Sequence, residues 1–213
     1  LILIFLYYRI PYLVKSRINA PKAQAIIDDF ASNNDNVFIV QVGANDGSAD
    51  PISNYIKEFK WKGLLIEPMT PTFVRLKSNY SGCDGLIFEN CGITEQKENR
   101  SIFYVDEEVH LRSASFSRSY AEEHCDSNGL DRNTLREKIV PCDNLQSLLS
   151  KHSIEKVDFL VIDAEGLDAD VIYQFDFNKF RPKLILYETS HMSFEDRKNI
   201  DHKFKELNYI TLS

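Results

Sequence analysis

The chain has 213 residues, 43% of them hydrophobic and 27% charged, a composition that excludes a disordered chain, a collagen-like repeat and a small disulfide-stapled scaffold. One domain fits this length, with a core large enough to need no metal or disulfide support. Lys+Arg 25 against Asp+Glu 32 leaves a formal net charge of −7, so there is no general pull towards phosphate backbones and nucleic acid is not an expected partner.

Residues 1–6 are wholly apolar and are followed by Tyr7, Tyr8, Arg9 and a second apolar stretch containing Pro11. This run is far shorter than the roughly 20 residues that span a bilayer. Its charge follows the apolar run, the reverse of a signal peptide. It reads as an apolar arm or helix packed on the domain of a cytoplasmic protein. Membrane contact through it, as the stub of an upstream anchor, is the less favoured alternative. Pro21 to Phe30 carries Ala23, Ile26, Ile27 and Phe30 at helical spacing. Residues 1–36 thus read as an arm and a helix ahead of a domain over 37–213.

Val37 to Val42 is a near-continuous, β-branched apolar run, the pattern of a strand buried on both faces of a parallel sheet. It ends in Gly43-Ala44-Asn45-Asp46-Gly47, and a helix is expected from Pro51 to about Phe59. Gly63 to Ile66 is a short strand ending in Glu67 and stopped by Pro68. Thr70 to Tyr80 is helical, and Leu86 to Asn90 is the third strand. Ser101 to Val105 alternates and reads as an added strand, His110 to Arg132 as a loop with some helix, and Ile139 to Pro141 as a short extended piece. Asp143 is placed to cap a helix whose Leu145, Leu148 and Leu149 share a face. Val157 to Ile162 is a strand ending at Asp163, Asp168 to Phe175 a helix, Leu184 to Glu188 a strand, Phe194 to Leu207 the last helix and Tyr209 to Leu212 an edge strand. Strands alternating with helices predict a single-domain, doubly wound, mostly parallel α/β sheet.

In such sheets ligands bind at the carboxyl ends of strands, near the point where strand order reverses. The polar residues that end the predicted strands are therefore the candidates: Gly43 to Gly47, Glu67, Asn90 and Cys91, Asp163 to Gly166, and Glu188 to His191. Glu67 lies at the end of the second strand, where a carboxylate can accept two hydrogen bonds from a ribose diol. The alternative is a tight turn beside a solvated acid. The glycine spacing is neither Gly-x-Gly-x-x-Gly nor a P-loop, and none of the ten tyrosines has a lysine four residues on. These absences count against a nicotinamide-dependent oxidoreductase, the rival enzyme class. Asp46 within the turn suits a ligand bearing a positive amino group rather than a pyrophosphate. The four cysteines, Cys83, Cys91, Cys125 and Cys142, form no C-x-x-C and read as reduced, half-buried residues.

Val40-Gln41-Val42-Gly43-Ala44-Asn45-Asp46-Gly47 resembles motif I of class I S-adenosylmethionine-dependent methyltransferases. The ordered series Leu65-Ile66-Glu67-Pro68, Asn90-Cys91-Gly92-Ile93, Val140 to Leu145 and Val157 to Gly166 is similar, more narrowly, to the FkbM-type methyltransferases. The family usually carries a lysine two residues before the Asp of the last motif, where this chain has Val161. The resemblance implies a Rossmann-like fold, S-adenosylmethionine as cofactor, and O-methylation of a hydroxyl on a sugar, glycan or related small molecule. It places Gly43, Ala44, Asn45, Asp46 and Gly47 along the methionine part of the cofactor, Glu67 on the ribose, Asn90 and Cys91 beside adenine, and Asp163 and Glu165 near the methyl group and acceptor. Asp163, Glu165 and His191 are the candidate bases, histidine having the best matched ordinary pKa. Asp163 and Glu188 can hold a divalent ion if they converge, but no third ligand stands out and no metal is expected. Arg112, Phe116, Arg118 and Tyr120 are placed to cover the acceptor pocket, or to be an ordinary solvated loop. A catalytically silent cofactor-binding domain is the remaining alternative.

Overall fold

The computed structural model describes residues 2–6, 20–48, 52–106, 111–189 and 192–212. In chain order the elements are β1 (Ile2–Leu6), α1 (Ala20–Ser32), β2 (Phe38–Val42), α2 (Ser53–Glu58), β3 (Lys62–Ile66), α3 (Thr70–Asn79), β4 (Leu86–Glu89), β5 (Gly92–Ile93), β6 (Glu98–Val105), α4 (Arg118–Asn128), β7 (Leu135–Asp143), α5 (Leu145–Lys151), β8 (Phe159–Ile162), α6 (Asp168–Gln174), β9 (Leu184–Tyr187), α7 (Phe194–Glu206) and β10 (Tyr209–Leu212). Seven strands form one sheet in the order β10-β1-β9-β8-β2-β3-β4, every pair of it parallel. The chain winds outward from β2 through β3 to β4, then returns to β8 on the other side of β2. Strand order therefore reverses between β2 and β8, as the alternation of strands and helices predicts for a doubly wound fold.

The period-2 alternation of a strand explains the two cores. Val40, Val42, Leu64, Ile66, Leu160 and Ile162 point to one face, under Leu145, Leu148 and Leu149 of α5, Val171 and Ile172 of α6, and Ile200 and Phe204 of α7. Ile39, Leu65, Phe159 and Val161 point to the other, under Ile27 and Phe30 of α1, Ile56 of α2 and Leu76 of α3. Both sets are buried, which is why β2, β3 and β8 read as near-continuous apolar runs. Phe159 sits between Phe30 and Trp61, with ring centroids 5.4 and 6.1 Å away.

Three local expectations change. The apolar run at residues 2–6 is a strand within the sheet, paired with β9 and β10, rather than an arm or helix laid upon it. An unpaired edge beside β9 offers such a run a full ladder of hydrogen bonds. The helix cap is Asn144, not Asp143: its side chain accepts from Gln146 N at 2.9 Å and Ser147 N at 3.3 Å, while Asp143 is the last residue of β7. The short extended piece at 139–141 is the middle of a nine-residue strand, β7. Pro51, expected to open the second helix, lies outside the described residues.

A smaller sheet, β5-β7-β6, stands beside the main one. β6 and β7 are antiparallel from Glu98↔Cys142 to Val105↔Leu135, and α4 is carried between them. Ile102, Val140, Cys142 and Met69 form its own apolar centre, with Leu111, Ala114 and Phe116 packed against it. Among the described residues no helix is long and apolar enough to cross a membrane.

Candidate active site

A cleft opens at the carboxyl ends of β2, β3 and β8, where the strand order reverses. Its near wall is backbone. Gly43 N and Ala44 N both donate to Ile66 O, at 3.0 and 2.9 Å, and fasten the turn after β2 to the end of β3. Gly43 has φ +76°, and a Cβ there would stand 1.9 Å from Asp163 O, so only glycine lets β2 and β8 close up at this point. Asn45, φ +51°, donates its backbone N–H to Glu67 Oε2 at 3.0 Å. Met69 N donates to Glu67 Oε1 at 2.8 Å. The Glu67 carboxylate is thereby held between the turn and the start of α3. Burial pushes it up to about 7 against these two N–H donors, and the charges of Asp163 and Asp46 add to the rise. Each oxygen keeps a lone pair for a ligand hydroxyl.

Asp46 is buried, and its carboxylate accepts from Ser48 N at 2.9 Å, Ser48 Oγ at 2.7 Å and Arg112 Nη2 at 3.0 Å, with Arg75 Nε 3.9 Å away. Burial raises this carboxyl, but the Ser48 hydrogen bonds and the Arg112 guanidinium outweigh it and hold the group below its usual range. Ala44 is a core residue beneath the turn, and Gly47 lies against Tyr80 and Leu76. Of the five turn residues, Gly43 and Asn45 form the cleft wall. Asn90 donates to Glu67 O at 2.7 Å and Pro68 O at 3.1 Å and accepts from Thr70 Oγ1 at 3.0 Å, so its amide ties strand ends together. Cys91 lines the cleft, and burial, then the Glu89 charge, push its thiol up to about 12, leaving a neutral apolar wall. The four cysteines are free thiols.

The floor is acidic. Asp163, Glu165 and Glu188 each present an oxygen within 4.8 Å of the others. Glu165 is the third carboxylate that spacing alone did not single out as a ligand, and the trio can hold a hard divalent cation or share protons. Asp168, expected only to start a helix, belongs with them: it accepts from Ala164 N at 3.3 Å, and burial, then Asp163 and Glu188, push it up to about 8. His191 lies outside the described residues.

The far wall comes from the segment between β6 and β7. The strand-like bridge Phe103↔Ser115 folds residues 111–116 back over the cleft, where Leu111, Arg112, Ala114 and Phe116 line it. Ser115 Oγ donates to Glu165 O at 2.6 Å, and the Tyr120 hydroxyl donates to the Glu165 carboxylate. A Cβ on Gly92 would stand 2.3 Å from the Phe116 ring. Val161, where the resemblance expects a lysine, is a buried residue of the second core.

Comparison with known proteins agrees with this geometry. The family described as methyltransferase FkbM domain matches residues 41–211, from the end of β2 to β10. No curated protein and no solved structure matches the chain.

Proposed function

Because the chain belongs to the FkbM methyltransferase family it is a methyltransferase, and we propose that it moves the methyl group of S-adenosylmethionine to a hydroxyl of a sugar, glycan or related small molecule. The observation that carries this reading is Glu67. It is a buried carboxylate at the end of β3, held by Asn45 N and Met69 N on the lip of a cleft at the strand-order reversal. A ribose diol is the natural partner for two carboxylate oxygens in that position. The residues present fit the donor. Gly43 gives close backbone approach, and Cys91 and Ile93 give an apolar wall for a base.

When bound, the sulfonium supplies a methyl carbon already activated toward displacement. The protein's part is alignment of the acceptor and removal of its proton. Asp163 and Glu165 line the cleft and are the groups that take the hydroxyl proton as the oxygen–carbon bond forms. Ser115 fixes the Glu165 backbone and Tyr120 its carboxylate from the far wall, so the carboxylate does not have to reorganise during the step. Calorimetry on the intact chain tests the donor: saturable binding of S-adenosylmethionine with no response to NAD is expected, and the reverse pattern ends the reading. Transfer of labelled methyl to a panel of glycans and hydroxylated lipids tests the acceptor class.

A further inference from the structure

A second groove lies beside the cleft. One wall is the turn after β5 with the start of β6, carrying Glu95, Glu98 and Arg100, and the other is α6 with Asp170 and Gln174. Ile93 and Leu167 line both the groove and the cleft, so the two spaces share a border. The walls are tied together, because Asn144 Nδ2 donates to Glu95 O at 3.0 Å and to Gln174 Oε1 at 3.3 Å. The Arg100 guanidinium lies over the Phe116 ring, 5.6 Å from its centroid, and Phe116 lines the cleft. The two spaces differ in chemistry: the lining of the cleft is mostly apolar and that of the groove mostly polar.

We infer that this groove seats the acceptor, and that the acceptor is an uncharged sugar unit rather than an acidic or phosphorylated one. The inference rests on the donor reading above: a donor in the cleft leaves the acceptor to approach Asp163 and Glu165 from a neighbouring space. The groove offers that approach at Leu167, close in the chain to Glu165. Its carboxylates, amide and guanidinium are planar groups with paired donors or acceptors, suited to neighbouring sugar hydroxyls. Gln174 Nε2 is buried with no hydrogen-bond partner among the described residues, a donor whose desolvation a ligand hydroxyl would offset. Charge decides the class of sugar. In the described lining Glu95, Glu98 and Asp170 stand against a single guanidinium, Arg100. Burial raises the Asp170 carboxyl, the Asp196 and Glu95 charges add to the rise and Arg100 opposes it, so the two walls are close enough to feel each other. A uronate or a phosphate would add negative charge to an acidic groove, a repulsion that selects against such acceptors. A neutral hydroxyl meets none of it.

The alternative is that the groove is only a solvated seam between β6 and α6. Neutral, uronate-bearing and phosphorylated oligosaccharides of equal length separate the two. Each is offered to the wild-type chain, to Gln174→Ala and to Glu98→Lys combined with Asp170→Lys. Binding is read by saturation-transfer NMR with S-adenosylhomocysteine present, and turnover by labelled-methyl transfer from S-adenosylmethionine. Wild type is expected to bind the neutral compounds and to methylate them about tenfold more efficiently than the acidic ones. Gln174→Ala is expected to raise the acceptor KM about tenfold, as one lost hydrogen bond in a desolvated place predicts, with kcat and S-adenosylmethionine affinity within about twofold of wild type. The double charge reversal is expected to narrow or invert the preference for neutral acceptors. A wild-type preference for acidic acceptors, neutral compounds neither bound nor methylated, or an acceptor KM indifferent to both variants overturns the inference, while calorimetric binding of S-adenosylmethionine leaves the donor reading intact. Failure of wild type to bind S-adenosylmethionine overturns the donor reading itself, and the inference with it. Should Gln174→Ala not fold, the wild-type preference and the charge reversal still decide.

Discussion

The two walls of the cleft are built in different ways. The near wall is backbone locked to backbone: the turn after β2 hangs from Ile66 O, and β2 and β8 approach so closely that position 43 accepts no side chain. The far wall is a segment between two strands of a separate small sheet, joined to the site by side chains, Arg112 on Asp46 and Ser48, and Ser115 and Tyr120 on Glu165. A wall set by main-chain geometry has little freedom to adjust to a ligand. A wall set by side-chain contacts is held by interactions worth about 1–3 kcal/mol each and opens at modest cost. Changes in the near wall should therefore damage the fold and the binding site together, and changes in the far wall should act locally.

Gly43→Ala is the severest test. The new methyl group meets Asp163 O in a backbone conformation that L side chains rarely adopt. Strain and overpacking together predict a loss of about 2–4 kcal/mol in urea unfolding, with donor binding weakened by more than a hundredfold in calorimetry. A variant of unchanged stability that still binds would mean that the near wall yields as readily as the far one.

Glu67→Gln comes next, with an expected loss of about 1.5–3 kcal/mol in donor binding if the proposed charge-assisted hydrogen bonds to the ribose disappear. It also has a pH signature. Glu67 sits at about 7, above the ordinary carboxylate value. The folded chain thus keeps a proton that the unfolded chain has released, and the stability associated with it is present at low pH and lost as pH rises through about 7. Asp168, at about 8, extends the same decline. Ligand hydroxyls need the ionised carboxylate as acceptor, so wild-type affinity for S-adenosylhomocysteine should fall by up to about tenfold per pH unit below 7. Titration calorimetry between pH 6 and 8 should show that slope in wild type and its loss in Glu67→Gln.

The same contrast explains what could be read from the sequence. β2, β3 and β8 announce themselves because strands buried on both faces are near-continuous apolar runs, and the turn and Glu67 follow directly at their ends. β5 has two residues, too few for any period to show. β7 extends to Leu135 through Arg136, Glu137 and Lys138, exposed residues whose polarity hides the strand. Asp143 and Asn144 are both good caps side by side, and only the end of β7 decides between them. The partner of Asp46 lies 66 residues away, and the cover reaches Glu165 from 50 residues upstream at Ser115, separations that no local spacing rule encodes. Convergence of Glu165 and Glu188 on Asp163 likewise depends on the pairing of β8 with β9.

On the far wall, Tyr120→Phe keeps the ring and removes the hydroxyl that holds the Glu165 carboxylate. About 1 kcal/mol of stability is expected to go. Donor affinity should change less than twofold, while methyl transfer slows severalfold because the acceptor side loses its fixed carboxylate. Equal damage to donor binding would show that the two walls act as one unit.

The mildest change is Ser117→Ala. Ser117 caps α4, its hydroxyl accepting from Tyr120 N at 3.3 Å. Losing an N-cap costs about 1 kcal/mol. If the cover is a locally held element, that cost should stay within it: amide hydrogen exchange should quicken across residues 118–128 while protection in β2, β3 and β8 holds. A sheet that exchanges faster in step with α4 would instead mean that the small sheet and the large one unfold cooperatively. The side-chain contacts at Asp46 and Glu165 would then hold the cover far more strongly than their number and burial imply.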